Sequence, residues 1–146
     1  MEYFDFPKEI SVGYPIQIEI SGVISHQGSV HFWEDKKLFQ NGIHRCFWIT
    51  GVAEGNVRGS HAHRQECQVL VAIAGSVTVN VQSVDGQTHT FGLSKPSEGV
   101  YIPPLNWVEV VCADGAVVLG LSDREFSEED YIRDKVYFER LRNNVR

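Results

Sequence analysis

Basic charge is what this sequence has little of. Lysine and arginine number 13 against 19 aspartates and glutamates, a formal net charge of −6. Without a basic surface to displace counterions from phosphates, nucleic-acid binding is excluded as an expectation, and the charge reads as solubility. Long apolar runs are missing too: none reaches the roughly 18 residues that cross a bilayer. The N-terminus, MEYFDFPKEI, carries acids where a secretory signal needs a basic stretch and then an apolar one. A cytoplasmic protein that meets neither membrane nor nucleic acid is predicted. Cysteine is scarce and odd in number. Cys46, Cys67 and Cys112 form no C-x-x-C pair, so buried free thiols are expected rather than a disulfide or a nucleophile. Repeats, charge blocks and Pro/Ser-rich linkers are absent, and 146 residues suit one domain, 1–146, around one core.

What is present is alternation. In SVTVNVQSV, Val77, Val79 and Val81 share one face while Thr78, Asn80 and Gln82 share the other, the pattern of a half-buried strand. Asp85-Gly86 predicts a two-residue hairpin turn, because both positions tolerate positive φ, and THTFGL returns. Similar strands are expected at 14–24, 29–34, 44–51, 66–74, 99–103, 107–112 and 115–121. LVAIAG, residues 70–75, is apolar throughout, as a central strand buried on both faces would be. Many short strands at regular spacing predict an all-β jelly-roll sandwich or barrel. Helix is expected only at 127–143, with Ser127 as N-cap, Asp130 at the third position, and Tyr131, Ile132, Val136, Phe138 and Leu141 as an irregular apolar face. One helix or two short turns both fit that pattern. Residues 1–13 are expected to be loosely ordered.

The chemistry concentrates around His61 and His63. Side chains at i and i+2 of a strand point the same way, so the two imidazoles should project together, for metal ligation or for proton transfer. Gly55, five residues, His61-Ala62-His63, four residues, Gln68, six residues and Gly75 resemble the first motif of the cupin superfamily, with an amide where that motif has its acid. Val108 stands where the second motif has a histidine. Two of four ligands are thus missing, while catalytic zinc or iron sites normally keep three protein ligands. No metal and no other cofactor is expected. A neutral imidazole, with an ordinary pKa near 6.5, can still accept and return a proton. His63 and His61 are the candidate catalytic residues, with a slight preference for His63 as the base.

Arg58-Gly59-Ser60-His61-Ala62-His63, then Gln68, then Ile102-Pro103-Pro104 with Trp107, then Tyr131-Ile132-Arg133 resemble the metal-independent cupins that act as nucleotide-sugar 3,4-ketoisomerases. The resemblance spans about residues 22–140. It implies a cupin jelly roll with a short C-terminal helical segment, forming a homodimer. It also implies a dTDP-linked 4-oxo-6-deoxyhexose as substrate, whose carbonyl moves from C4 to C3 through an enediol. Arg58 and Arg64 would hold the diphosphate or an enediolate oxygen. Gln68, Tyr101, Trp107 and Phe47 would line the substrate pocket or stack on the base. Three positions depart from the family: Gln27, Phe47 and Val108 replace its arginine, tyrosine and histidine. Two other functions therefore stay open, a sugar-nucleotide epimerase and a non-catalytic or divergent cupin that binds a sugar nucleotide.

Overall fold

The computed structural model describes residues 10–146. In chain order its strands are β1 (Ile16–Glu19), β2 (Gly22–Ser25), β3 (Gly28–His31), β4 (Arg45–Ile49), β5 (Val57–His63) and β6 (Gln68–Ala74). They continue with β7 (Val77–Ser83), β8 (Thr88–Leu93), β9 (Glu98–Ile102), β10 (Asn106–Cys112), β11 (Val117–Ser122) and β12 (Tyr131–Ile132). One antiparallel sheet runs β1-β9-β6-β11-β4 and a second runs β12-β5-β10-β7-β8, while β2 and β3 pair only with each other. This is the expected all-β sandwich of jelly-roll type. The predicted 14–24 strand breaks into β1 and β2, the other expected strands are observed give or take their ends, and β12 falls within the segment expected to be helical.

The main core lies between the sheets, where Leu70, Val100 and Val118 of the first meet Val79, Val81, Val108 and Val110 of the second. Each fully buried valine removes enough apolar surface from water to stabilise the fold by about 1.5–3 kcal/mol. β6 is apolar on both faces, and both are covered along residues 69–72, while Ile73 and Ala74 at its end are exposed. Leu70 and Ala72 enter the main core, and Val69 and Val71 pack outward against Phe39 and Ile20. β4 is covered on one face only, which leaves Cys46 exposed. The expectation of three buried thiols fails there, since Phe47 and Ile49 take the inward positions; Cys67 is half-buried and only Cys112 is fully buried.

Two local expectations are corrected. Among Asp85 and Gly86 only Gly86 takes positive φ, at 94°. The Gly86 N–H donates to the Ser83 carbonyl and the Ser83 N–H to Gln87, a longer turn with a glycine bulge rather than a two-residue one. At the C-terminus Ser127 makes no side-chain cap, and only one 3-10 turn follows it, Glu128–Asp130. The chain then re-extends as β12, because Ile132, 1% exposed, pairs with Ala62 on β5; a continuous helix would forfeit both that pairing and that burial. The helix α1 (Lys135–Arg140) is capped by Asp134, which accepts from the Val136 and Tyr137 N–H groups. It seats Phe138 on Trp107, Ala62 and Ile132. Of the segment 1–13, residues 1–9 lie outside the described residues; Ile10 is buried and bridges to Val145.

Candidate active site

β5 carries the site, and a bulge aims it. Gly59 and Ser60 both take positive φ, 94° and 60°, and the register against β10 shifts between Val108 and Glu109. A Cβ on Gly59 would stand 2.7 Å from the Val108 carbonyl oxygen, so only glycine fits. Beyond the bulge His61 and His63 point inward, and Ala62 points out under the C-terminal segment. The expected shared face is observed, with the two rings 5.0 Å apart and perpendicular to within a few degrees, at 84°.

The two imidazoles have different surroundings. His61 lines a cavity of about 260 Å³ between the sheets, together with Phe47, Arg58, Gln68, Val108 and Tyr131. Among the described residues its Nδ1 has no well-formed hydrogen bond. Burial, reinforced by the charge of His63, lowers its pKa to about 4. His63 is 7% exposed, and each ring nitrogen faces a carboxylate: Nε2 lies 3.0 Å from Glu66 Oε2 and Nδ1 lies 3.1 Å from Asp130 Oδ2. Burial opposes its charge, but hydrogen bonds to Asp130 and Glu66 and the charges of both outweigh burial and raise its pKa. Burial likewise pushes Glu66 and Asp130 up, and the contact with His63 carries both below the ordinary carboxylate range.

Glu66 is a hub. One oxygen accepts from Arg45 Nη2 at 2.8 Å and from the Ser122 hydroxyl, and the other accepts from Gln68 Nε2 at 2.6 Å. Arg45 reaches it from β4 and lies over the Phe47 and Phe126 rings. Asp130 also accepts from the backbone N–H groups of Gln65 and Glu66, which fastens the turn between β5 and β6. Donor atoms of His63, Glu66 and Asp130 fall within 4.8 Å of one another. The two carboxylates face opposite nitrogens of one ring. The set suits a paired imidazolium.

Of the residues named from sequence, the structure brings His61, Arg58, Gln68 and Phe47 to one cavity, with His63 behind Gln68. It does not bring Arg64, Tyr101 or Trp107 there. Arg64 Nη1 donates to the Glu129 and Tyr131 carbonyls, tying the end of β5 to β12. Tyr101 alternates with the inward Val100 and Ile102, so it faces the outer cluster, where its hydroxyl meets Cys67 Sγ. Trp107 alternates with Val108 and packs under Phe138. Strand parity corrects the expectation that these three line the pocket. Gln27 sits exposed in the β2–β3 turn. Arg45, Glu66, Ser122 and Asp130 were not foreseen. Glu66 lies in a turn without periodicity and Asp130 read as a helix position; the only signal was an acid three residues after one histidine and two before Gln68.

Residues 15–143 match the family model FdtA: WxcM-like, C-terminal. The chain belongs to this family. The FdtA-like assignment agrees with individual relatives. The chain is 31% identical over 118 residues to the TDP-4-oxo-6-deoxy-alpha-D-glucose-3,4-oxoisomerase of Aneurinibacillus thermoaerophilus, covering 80% of this chain and 84% of that one. Among solved structures it is similar to QdtA, a sugar 3,4-ketoisomerase from Thermoanaerobacterium thermosaccharolyticum in complex with TDP. The TM-score is 0.80 and the identity 31%, over 86% of this chain and 92% of that one. A 3,4-ketoisomerase from Helicobacter canadensis matches with TM-score 0.81 and 27% identity, over 88% and 97% of the two chains. ChmJ, a 3'-monoepimerase from Streptomyces bikiniensis, shares the fold at TM-score 0.71 and 14% identity, over 84% of this chain and 70% of that one.

Proposed function

We propose that this FdtA-like chain is a sugar-nucleotide 3,4-ketoisomerase, moving the carbonyl of a dTDP-linked 4-oxo-6-deoxyhexose from C4 to C3 without a metal. The observation that carries the reading is His61, an imidazole kept neutral by burial, on the wall of a cavity it shares with Arg58 and Tyr131. The C4 carbonyl acidifies the hydrogen at C3. His61 takes that proton, leaving an enediolate whose charge is met by N–H donors of Arg58 and Arg45. The proton on O3 passes to O4, and His61 returns its proton to C4. No oxidant is consumed. A ring that disfavours its own charged form gives the proton back readily, which suits a shuttle on one face of the sugar. This reading makes His61, rather than the slightly preferred His63, the base, since both nitrogens of His63 are engaged. Arg58, Gln68 and Phe47 are the substrate-binding residues.

An epimerase would need a proton donor on the opposite face of the sugar. On the facing sheet Phe47, Ile49 and Leu70 are apolar, and Arg45 and Gln68 donate to Glu66; among the described residues no phenol or imidazole stands there, which favours isomerisation. No helix among the described residues is long and apolar enough to cross a membrane, in keeping with a cytoplasmic enzyme built as one cupin domain. A homodimer is supported by the β2–β3 hairpin, whose Val23, Ile24 and Val30 are 64, 78 and 64% exposed; an isolated two-stranded hairpin is marginal in water. The enzymatic reading is tested by incubation with dTDP-4-oxo-6-deoxyglucose in deuterated water, followed by NMR. The carbonyl should move to C3, with deuterium entering at C4 in the fraction of turnovers in which His61 exchanges its proton with solvent before returning it. Tight binding with neither change would make the protein a sugar-nucleotide binder.

A further inference from the structure

The buried carboxylate of Glu66, 3% exposed, belongs neither to the metal motif nor to the cavity wall. It stands in the four-residue turn between β5 and β6, two positions before Gln68, where the sequence lacks the expected acid. Its partners come from four different strands: Arg45 of β4, Ser122 of β11, Gln68 of β6 and His63 of β5. Surface turns seldom bury a carboxylate with every oxygen lone pair directed at a donor.

The charges alternate along a line. Arg45 meets Glu66 at 2.8 Å, Glu66 meets His63 at 3.0 Å, and His63 meets Asp130 at 3.1 Å. With His63 as a cation the four groups sum to zero. With His63 neutral, an unbalanced negative charge would be left in a largely desolvated cluster, which burial strongly disfavours. The other groups facing the His63 ring are His61 from β5, Tyr131 from β12, 4.3 Å away ring to ring, and the Gln68 amide from β6, whose Nε2 lies 3.3 Å from His63 Nε2 and donates to the same Glu66 oxygen; Arg133 acts on His61 from beyond Tyr131.

We infer that Glu66 is a positioning residue of the isomerase site, holding the His63 ring as a fixed cation between two carboxylates while the His61 ring stands against it and faces the substrate. Glu66 touches no substrate in this arrangement. It acts through His63, whose positive charge opposes protonation of His61 and so preserves a proton-accepting base. The kinetic consequence rests on the ketoisomerase reading; the charge state of His63 does not.

The test is Glu66→Gln, which keeps shape and removes charge. Nitrogen-15 NMR of the histidine side chains reads the protonation of His63 without any turnover. In the unaltered protein His63 should hold both ring protons at pH 7; in Glu66→Gln it should lose one, and the protonation of His61 should shift to higher pH. With substrate, kcat should fall about tenfold or more, within the range of positioned acid–base groups, while KM stays nearly constant. If Glu66→Gln does not fold, Glu66→Asp draws the carboxylate back from His63 Nε2 by one methylene and should move His63 in the same direction by less. A neutral His63 at pH 7 in the unaltered protein overturns the inference, and so does a folded Glu66→Gln whose His63 titrates unchanged. If the NMR outcome is as expected but no carbonyl migrates, the ketoisomerase reading fails and the charge relay stands.

Discussion

The rings of His61 and His63 stand 5.0 Å apart yet their pKa values are driven in opposite directions, His61 down to about 4 and His63 above the ordinary imidazole value. Stability should depend on pH through both. For His61 the folded value lies below the unfolded 6.5, so the unfolded chain binds the extra proton and stability is lost as pH falls from 6.5 towards 4, on the order of 3 kcal/mol. For His63 the folded value lies above 6.5, so its contribution is complete below 6.5 and is lost as pH rises through the raised value. Melting temperature measured from pH 4 to 9 should therefore peak between about 6 and 7. A profile still rising from pH 7 to 9 would contradict the paired state of His63.

The two histidines should fail differently when replaced. His61→Asn should leave the fold intact and reduce kcat by roughly 10²–10⁴-fold, because that ring lines the cavity without holding it together. His63→Asn leaves Glu66 and Asp130 without their shared cation and should destabilise by about 3–5 kcal/mol. Denaturant titrations beside assays at a temperature where both variants are folded would separate the effects. Equal loss of stability in both would show that the division of roles is wrong.

Gly59→Ala tests whether the bulge on β5 matters. The added methyl meets the Val108 carbonyl at 2.7 Å on a backbone whose φ is 94°. A cost of about 1–3 kcal/mol is expected in urea unfolding, with a larger relative loss of turnover, since relaxing the bulge re-aims His61. Ser60→Gly, which relieves a positive φ of 60°, should instead be neutral or slightly stabilising.

Dimer formation should depend on the β2–β3 hairpin. Val23→Ser combined with Ile24→Ser changes residues that touch no core cluster, so the subunit should stay folded. Analytical ultracentrifugation should show a dimer becoming a monomer. An unchanged sedimentation coefficient would place the interface elsewhere.

Much of the fold was legible because strand alternation records which face is buried. Val77, Val79 and Val81 turn inward as their spacing required; of the continuous LVAIAG, Leu70, Val71 and Ala72 lie between two covered faces of β6, while Ile73 and Ala74 are exposed. Ser127 misled because capping preference is local, whereas Ile132 gains more by pairing with Ala62 across the sheet. Tyr101 and Trp107 misled because motif membership carries no parity, and each neighbours a residue that faces inward.

By itself the sequence determined the all-β class, the shared face of His61 and His63, the absent ligands at Gln68 and Val108, and the family. All of these follow from spacing within short stretches. Only the tertiary structure set the two imidazoles apart, His61 on the cavity wall and His63 between two carboxylates. That difference turns on Glu66, Asp130 and Arg45, up to 85 positions apart in the chain, converging on one ring. Burial and charge there act through distance in space, which no local pattern encodes.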